Sequence, residues 1–130
     1  MAYIDNELFL LKDESAGATV TSAAFDLGNK GAFAHPLYFD VKLTKAMTTG
    51  SMTTVTVQSA SDAAFTTPVD EVTITVPASI VQTSGPATLA QFFAPIKLSN
   101  RYVRLKLTGA STPAGGKISA YMTSGMTVGL

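Results

Sequence analysis

Apolar and polar residues alternate in several short runs along this chain, and turn residues separate the runs roughly every ten positions. The clearest run covers residues 37–43, where every odd position is apolar and Asp40 and Lys42 occupy even positions. The same alternation returns at residues 54–57, 72–76 and 103–107. Because successive side chains of a strand point to opposite faces, each run predicts a strand with one buried face and one solvent-exposed face. Several such strands predict an antiparallel sandwich or barrel.

Six prolines and ten glycines interrupt the chain too often for a long helix. Residues 59–65 could form a single helical turn, capped by a serine or by Asp62. Residues 77–89 predict a longer link that crosses between two sheets. We therefore predict an all-β, single-domain sandwich over residues 1–130, with short arms at 1–7 and 124–130. It has about eight strands, near Leu8–Lys12, Thr19–Phe25, Leu37–Thr44, Met52–Ser59, Glu71–Val76, Phe92–Leu98, Tyr102–Thr108 and Lys117–Thr123.

Composition and charge narrow the class of protein. The chain has 130 residues, of which 46% are hydrophobic, enough for one domain with its own core. Nine basic residues balance nine acidic ones, which predicts no nucleic-acid partner, because phosphates bind a clear excess of Lys and Arg. The chain has no cysteine. The first residues are too acidic for a signal peptide, and no apolar run is long enough for a membrane span, so we expect no membrane partner.

The residues that commonly carry catalysis or hold metals are few and scattered. His35, the only histidine, precedes a proline in a loop, and no Gly-x-Ser-x-Gly elbow is present. Gly115-Gly116-Lys117 lacks the spacing of a phosphate-binding loop and predicts a hairpin turn. We expect no catalytic residue, no cofactor and no metal needed for folding, although a calcium site built from loop carbonyls and one or two carboxylates stays open. The paired carboxylates are Asp5/Glu7, Asp13/Glu14 and Asp70/Glu71, which we interpret as solvated edge charges.

A few residues are instead typical of protein contacts. In the predicted strand at residues 92–98, one parity can fill the core, which leaves Phe93 and Pro95 outside on an edge strand. Arg104 and Lys106 share the solvent-exposed face of their strand, where they face solvent, an acidic partner or another subunit. Residues 1–7 are too polar for a core and too apolar for a disordered terminal segment that makes no contacts. Two apolar residues among them, Tyr3 and Ile4, are predicted to contact a neighbouring subunit or a larger assembly.

Short motifs along almost the whole chain resemble the capsid cement (decoration) proteins of tailed bacteriophages, and most closely the Bbp16-like family. The resemblance rests on Met1-Ala2-Tyr3-Ile4-Asp5, Asp26-Leu27-Gly28, Pro36-Leu37-Tyr38, Val57-Gln58-Ser59, Asp62-Ala63-Ala64-Phe65, Arg101-Tyr102-Val103-Arg104-Leu105 and Gly116-Lys117-Ile118-Ser119-Ala120.

The resemblance implies a small jelly roll without catalysis, made in the host cytoplasm and bound to the outer capsid surface of the virion. Its partners would be the phage major capsid protein of the HK97-type shell, whose neighbouring capsomers it would bridge, and itself. A homodimer is favoured, with a trimer as the alternative. The competing interpretation is a carbohydrate-binding or host-recognition jelly-roll module of a phage. A cupin-type enzyme is rejected, because its metal needs two or three histidines and the chain has one.

Overall fold

Nine strands form two antiparallel sheets in the computed structural model, which describes residues 8–26, 37–94 and 100–124. This confirms the predicted all-β fold. The strands are β1 (Leu8–Ser15), β2 (Thr19–Thr21), β3 (Phe25–Asp26), β4 (Leu37–Lys45), β5 (Thr49–Ala60), β6 (Val69–Thr75), β7 (Ala87–Ala94), β8 (Tyr102–Ala114) and β9 (Lys117–Ser124).

The strand order is that of a jelly roll. One sheet has the order β1-β9-β4-β7, and the other has the order β2-β8-β5-β6, with β3 also paired to β8. Early strands therefore pair with late ones in nested fashion: β1 with β9, β2 and β3 with β8, β4 with β7, and β5 with β6. A long two-stranded ribbon rolled onto itself has this pairing. Because β2 and β3 share the partner β8, they act as one interrupted strand, and the sandwich has the predicted eight.

The core lies between the sheets and is filled by the inward parity of each strand. On β4 the inward side chains are the four predicted from the alternation, and none is more than 1% exposed. Facing them across the core are buried side chains of the other sheet. These include Val55 and Val57 of β5 and Val103, Leu105 and Leu107 of β8. Truncating one such side chain to alanine typically costs about 2–5 kcal/mol.

Three local predictions are wrong, each because tertiary pairing overrides the local pattern. The edge strand β7 starts at Ala87, five residues before the predicted start at Phe92, since its ladder to β4 begins at Ala87 opposite Leu43; the predicted residues 95–98 lie outside the described residues. Residues 59–65 form no helical turn, because β5 continues to Ala60 and a hydrogen-bonded turn follows. Gly115 and Gly116 make a corner between the two sheets rather than a hairpin, since β8 and β9 belong to different sheets. The link between β6 and β7 crosses the sheets as predicted.

The described stretches begin and end at one end of the sandwich. Leu8 pairs with Met122, and Leu37 lies opposite both Ala94 and Ser124. Residues 1–7, 27–36, 95–99 and 125–130 lie outside the described residues and join the domain at this end. Tyr3, Ile4, His35 and Pro95 are among them, so the predictions on those residues stay predictions.

Candidate interaction surfaces

The structure places the predicted contact residues on opposite sides of the sandwich. Phe93 projects from the outer face of the four-stranded sheet. Arg104 and Lys106 project from the outer face of the other sheet, on the parity opposite to the buried Val103 and Leu105. The molecule therefore has two separate candidate surfaces.

Four aromatic side chains, one from each strand, cross the outer face of the four-stranded sheet; they are Phe9, Tyr121, Tyr38 and Phe93, and we name them the aromatic band. Phe9 lies opposite Tyr121, with ring centroids 5.1 Å apart in an edge-to-face arrangement. Tyr38 lies opposite Phe93 at 4.9 Å. The two pairs are diagonal neighbours, because Tyr121 is opposite Asp40, two residues along β4 from Tyr38. Phe9 is 50% exposed and Phe93 58%, so the band is an apolar surface that nothing in the described structure covers.

Charged groups lie beside the Phe9–Tyr121 half of the aromatic band. The Lys12 ammonium lies 5.6 Å from the Phe9 ring centroid, and that of Lys42 lies 5.7 Å from the Tyr121 ring. Lys42 also pairs with Asp40 at 3.6 Å. A hydrogen bond to Tyr121, and next the charge of Asp40, raise the pKa of Lys42. An apolar centre with a polar rim is the usual composition of a protein interface.

The outer face of the second sheet is dominated by threonine. One row crosses all four strands in register and consists of Thr19, Thr108, Thr54 and Thr75. The hydroxyls of Thr54 and Thr108 are hydrogen bonded to each other. β-branched side chains are stiff and favour strands, and their hydroxyls keep this face polar. Lys106 stands in the next row, opposite Thr21 and Thr56.

Arg104 occupies the third row of this face, in a chain of hydrogen bonds across three strands. Its Nε donates to Oε1 of Gln58 at 2.9 Å, and Nε2 of Gln58 donates to Oδ1 of Asp70 at 2.9 Å. The guanidinium carbon lies 4.3 Å from the ring centroid of Phe65. Phe65 belongs to the loop between β5 and β6 and is buried. Arg104 is therefore held in one orientation from two sides.

Most of the described carboxylates are hydrogen bonded, and they are dispersed over the domain. Asp13 accepts from the hydroxyls of Thr44 and Ser119, and Glu71 accepts from Ser59 at 2.6 Å. Within residues 8–26, 37–94 and 100–124, no cluster of three or more His, Asp or Glu side chains has the arrangement of a metal site. The same residues include no helix with the length and apolar character of a membrane span.

Comparison with known proteins identifies a shared fold and no family. No protein-family model matches the chain, and no curated protein matches it. Among solved structures, a chain from the structure of infectious bursal disease virus, Gx strain, superposes with a TM-score of 0.52 at 11% sequence identity. The match covers 94% of this chain and 32% of that one, so this chain spans about a third of its length. The chain thus belongs to the class of antiparallel β-sandwiches, and a domain-sized part of that viral chain has a similar fold.

Sequence reasoning identified Phe93 but missed the other three members of the aromatic band. Tyr38 shares its parity with Asp40 and Lys42, a signal that could have placed it outside. Phe9 shares its parity with the buried Leu11, and a bulge between them turns Phe9 outward. That these side chains form two ring pairs on neighbouring strands depends on strand order, which the alternation does not contain.

Proposed function

We propose that this chain is a structural virion protein that binds the outside of a phage capsid shell and cements neighbouring capsomers. The aromatic band is the observation that carries the proposal. Exposed aromatic side chains from all four strands of one sheet form an apolar surface, and such a surface is typical of a docking site for another protein. The resemblance to capsid cement proteins and the similarity in fold to part of a chain from a virus structure also support it.

The physical requirements of a cement protein agree with the described structure. Such a protein needs a rigid body and several modest contacts, since many copies on one shell act together. Each aromatic ring can bury roughly 150–250 Å² when it is covered, and aromatic residues are enriched among the side chains that dominate interfaces. The proposed partners are the phage major capsid protein and a second copy of this chain, with a homodimer favoured over a trimer. Sedimentation velocity of the purified chain distinguishes those two states.

Co-sedimentation with assembled HK97-type capsids tests the proposed function. Phe9→Ser and Phe93→Ser remove exposed rings without opening the core, so we expect both variants to fold normally and to bind capsids at least tenfold more weakly. Val81→Ser is the matched control, because Val81 is 60% exposed and lies outside the band, on the link between the sheets. If the wild-type chain does not co-sediment, the proposed function is wrong. If the wild-type chain binds and the Phe9→Ser and Phe93→Ser variants bind equally well, docking uses another surface.

A carbohydrate-binding or host-recognition module is the second candidate, and the aromatic band also favours it. Asp40 and Gln91 lie beside the rings, and Gln91 donates to Asp40 at 3.4 Å. Aromatic faces with a carboxylate and an amide nearby can hold a sugar ring. Binding on a glycan array that is lost in Phe93→Ser, together with no binding to capsids, would favour this function over cementing.

A further inference from the structure

The chain contains two arginines, which differ in their hydrogen-bond partners. Arg101 donates from Nε and Nη2 to the two carboxylate oxygens of Asp26, at 2.6 and 2.8 Å, so its charge is neutralised by a bidentate pair. Arg104 has no carboxylate partner within the described part of the chain. Among the described residues, its hydrogen-bond partner is the neutral amide of Gln58.

A strained loop positions the Phe65 ring against Arg104. Phe65 has a φ of +52°, a left-handed conformation that is rare for a bulky residue and costs on the order of 1–3 kcal/mol. The loop is held by Asp62, whose backbone carbonyl accepts from the Phe65 N–H and whose carboxylate accepts from the Thr66 hydroxyl at 2.7 Å. Strain of this kind persists where the surrounding contacts demand it and concentrates at functional sites.

The surroundings leave the Arg104 charge available to a partner. Its Nε donates to Gln58, whereas its two Nη groups make no hydrogen bond with the described residues. They form one of the edges of the guanidinium that can pair with a carboxylate. Lys106 follows two residues later on the same face and has no carboxylate partner among the described residues either. Asp70 is two strands away from Arg104, roughly 9–10 Å at ordinary strand spacing, which is about one Debye length in physiological salt.

We propose that Arg104, held by Phe65 and Gln58, is a preorganised binding site for a carboxylate side chain of a partner protein, with Lys106 as a second positive charge beside it. Preorganisation reduces the entropy that a long side chain loses when it binds. A carboxylate is favoured over a nucleic-acid backbone because two neighbouring cations in a chain of balanced charge suit one or two acidic side chains and not a phosphate polymer. The identity of the partner rests on the proposed function, whereas the site itself does not.

Titration of the purified chain with hexaglutamate, followed by the NMR signals of the arginine Nε–H groups, tests the site. With two arginines in the chain, the spectrum has one reporter and one internal control. We expect the Arg104 signal to shift and saturate while the Arg101 signal stays in place. Arg104→Lys keeps the charge and loses the planar fork, and it should weaken hexaglutamate binding about tenfold or more. Phe65→Leu should weaken it about threefold or more, and Arg101→Lys should leave it unchanged.

Three results would overturn the inference. They are equal shifts at both arginines, an unchanged affinity in Arg104→Lys, and saturation by inorganic phosphate at lower concentration than by hexaglutamate. The amide spectrum of each variant verifies the fold. If hexaglutamate fails to bind while the chain still co-sediments with capsids, this inference fails and the proposed function stands. If hexaglutamate binds as expected and the chain does not co-sediment, the proposed function fails and the site stands.

Discussion

Gln82 connects the crossing link between β6 and β7 to the core, and its replacement by leucine should destabilise the domain strongly. The side chain is 5% exposed. Its Oε1 accepts from the Met52 N–H at 2.8 Å, and its Nε2 donates to the Met52 carbonyl at 3.0 Å. The ladder between β5 and β6 begins only at Thr54, so the Gln82 amide takes the position that a further strand residue would occupy beside Met52.

Leucine has a similar size, so Gln82→Leu removes these two hydrogen bonds without a large cavity. The Met52 N–H and C=O would then be buried without their partner, at about 1–3 kcal/mol for each group. The hydrogen bond from the Met47 N–H to the Gln82 carbonyl, 2.7 Å long, survives because it involves only backbone atoms. We therefore expect the free energy of unfolding to fall by about 2–6 kcal/mol, a large share of the ~5–15 kcal/mol of a typical domain.

Urea denaturation followed by circular dichroism measures this change, since the chain has no tryptophan to report by fluorescence. With an m-value of about 2 kcal/mol/M, which is ordinary for a small domain in urea, the midpoint should fall by about 1–3 M. Gln91→Leu makes the same chemical change at an exposed position of β7 and should stay within about 0.5 kcal/mol of wild type. Equal midpoints for Gln82→Leu and Gln91→Leu would refute the role given to the buried amide.

Three further predictions use the same measurement. Ser111 and Thr112, in the irregular part of β8 opposite Gly50, have φ of +61° and +56°, so Ser111→Asn and Thr112→Gly, which tolerate positive φ, should together stabilise the domain by about 1–2 kcal/mol. Gly50→Ala should cost at least about 2 kcal/mol, because φ is +71° and its Cβ would lie 2.6 Å from backbone, whereas Gly17→Ala, with open space around it, should change little. Hydrogen bonding to the threonine four residues on lowers the pKa of Asp62, so stability should fall as the pH drops below about 4, and less in Asp62→Asn.

The alternation along the chain was sufficient to predict the strands and the core-facing parity, because both depend on local geometry. The run at residues 37–43 shows this, with its odd positions buried and Asp40 and Lys42 on the outer side. The start of the strand Ala87–Ala94 was predicted too late because its first half, Ala-Thr-Leu-Ala, contains two alanines, which are depleted in strands, and is held by pairing to β4. Long-range pairing of this kind leaves no mark within a short window of sequence.

For the candidate surfaces, the sequence predicted which residues share a face but not which distant residues contact each other. That Arg104 and Lys106 share a face follows from their spacing, and the structure agrees. Phe65 lies against Arg104 because Phe65 has a left-handed backbone conformation in the loop between β5 and β6. Phenylalanine rarely adopts that conformation, so the sequence did not predict it. Strand order, bulges and strained loops decide which exposed residues become neighbours.

The nesting of β1 against β9 determines how the domain resists mechanical force. The two strands are antiparallel, and Leu8 and Ser124 are at the same end of their ladder. Tension applied through these two residues would act across the strands and break the hydrogen bonds one at a time, from the Leu8–Met122 pair onwards. Tension along the strands would have to shear many bonds at once. In the proposed cementing role, a copy pulled through Leu8 and Ser124 would therefore peel open, whereas one held by the faces of its sheets would transmit the force through an intact body.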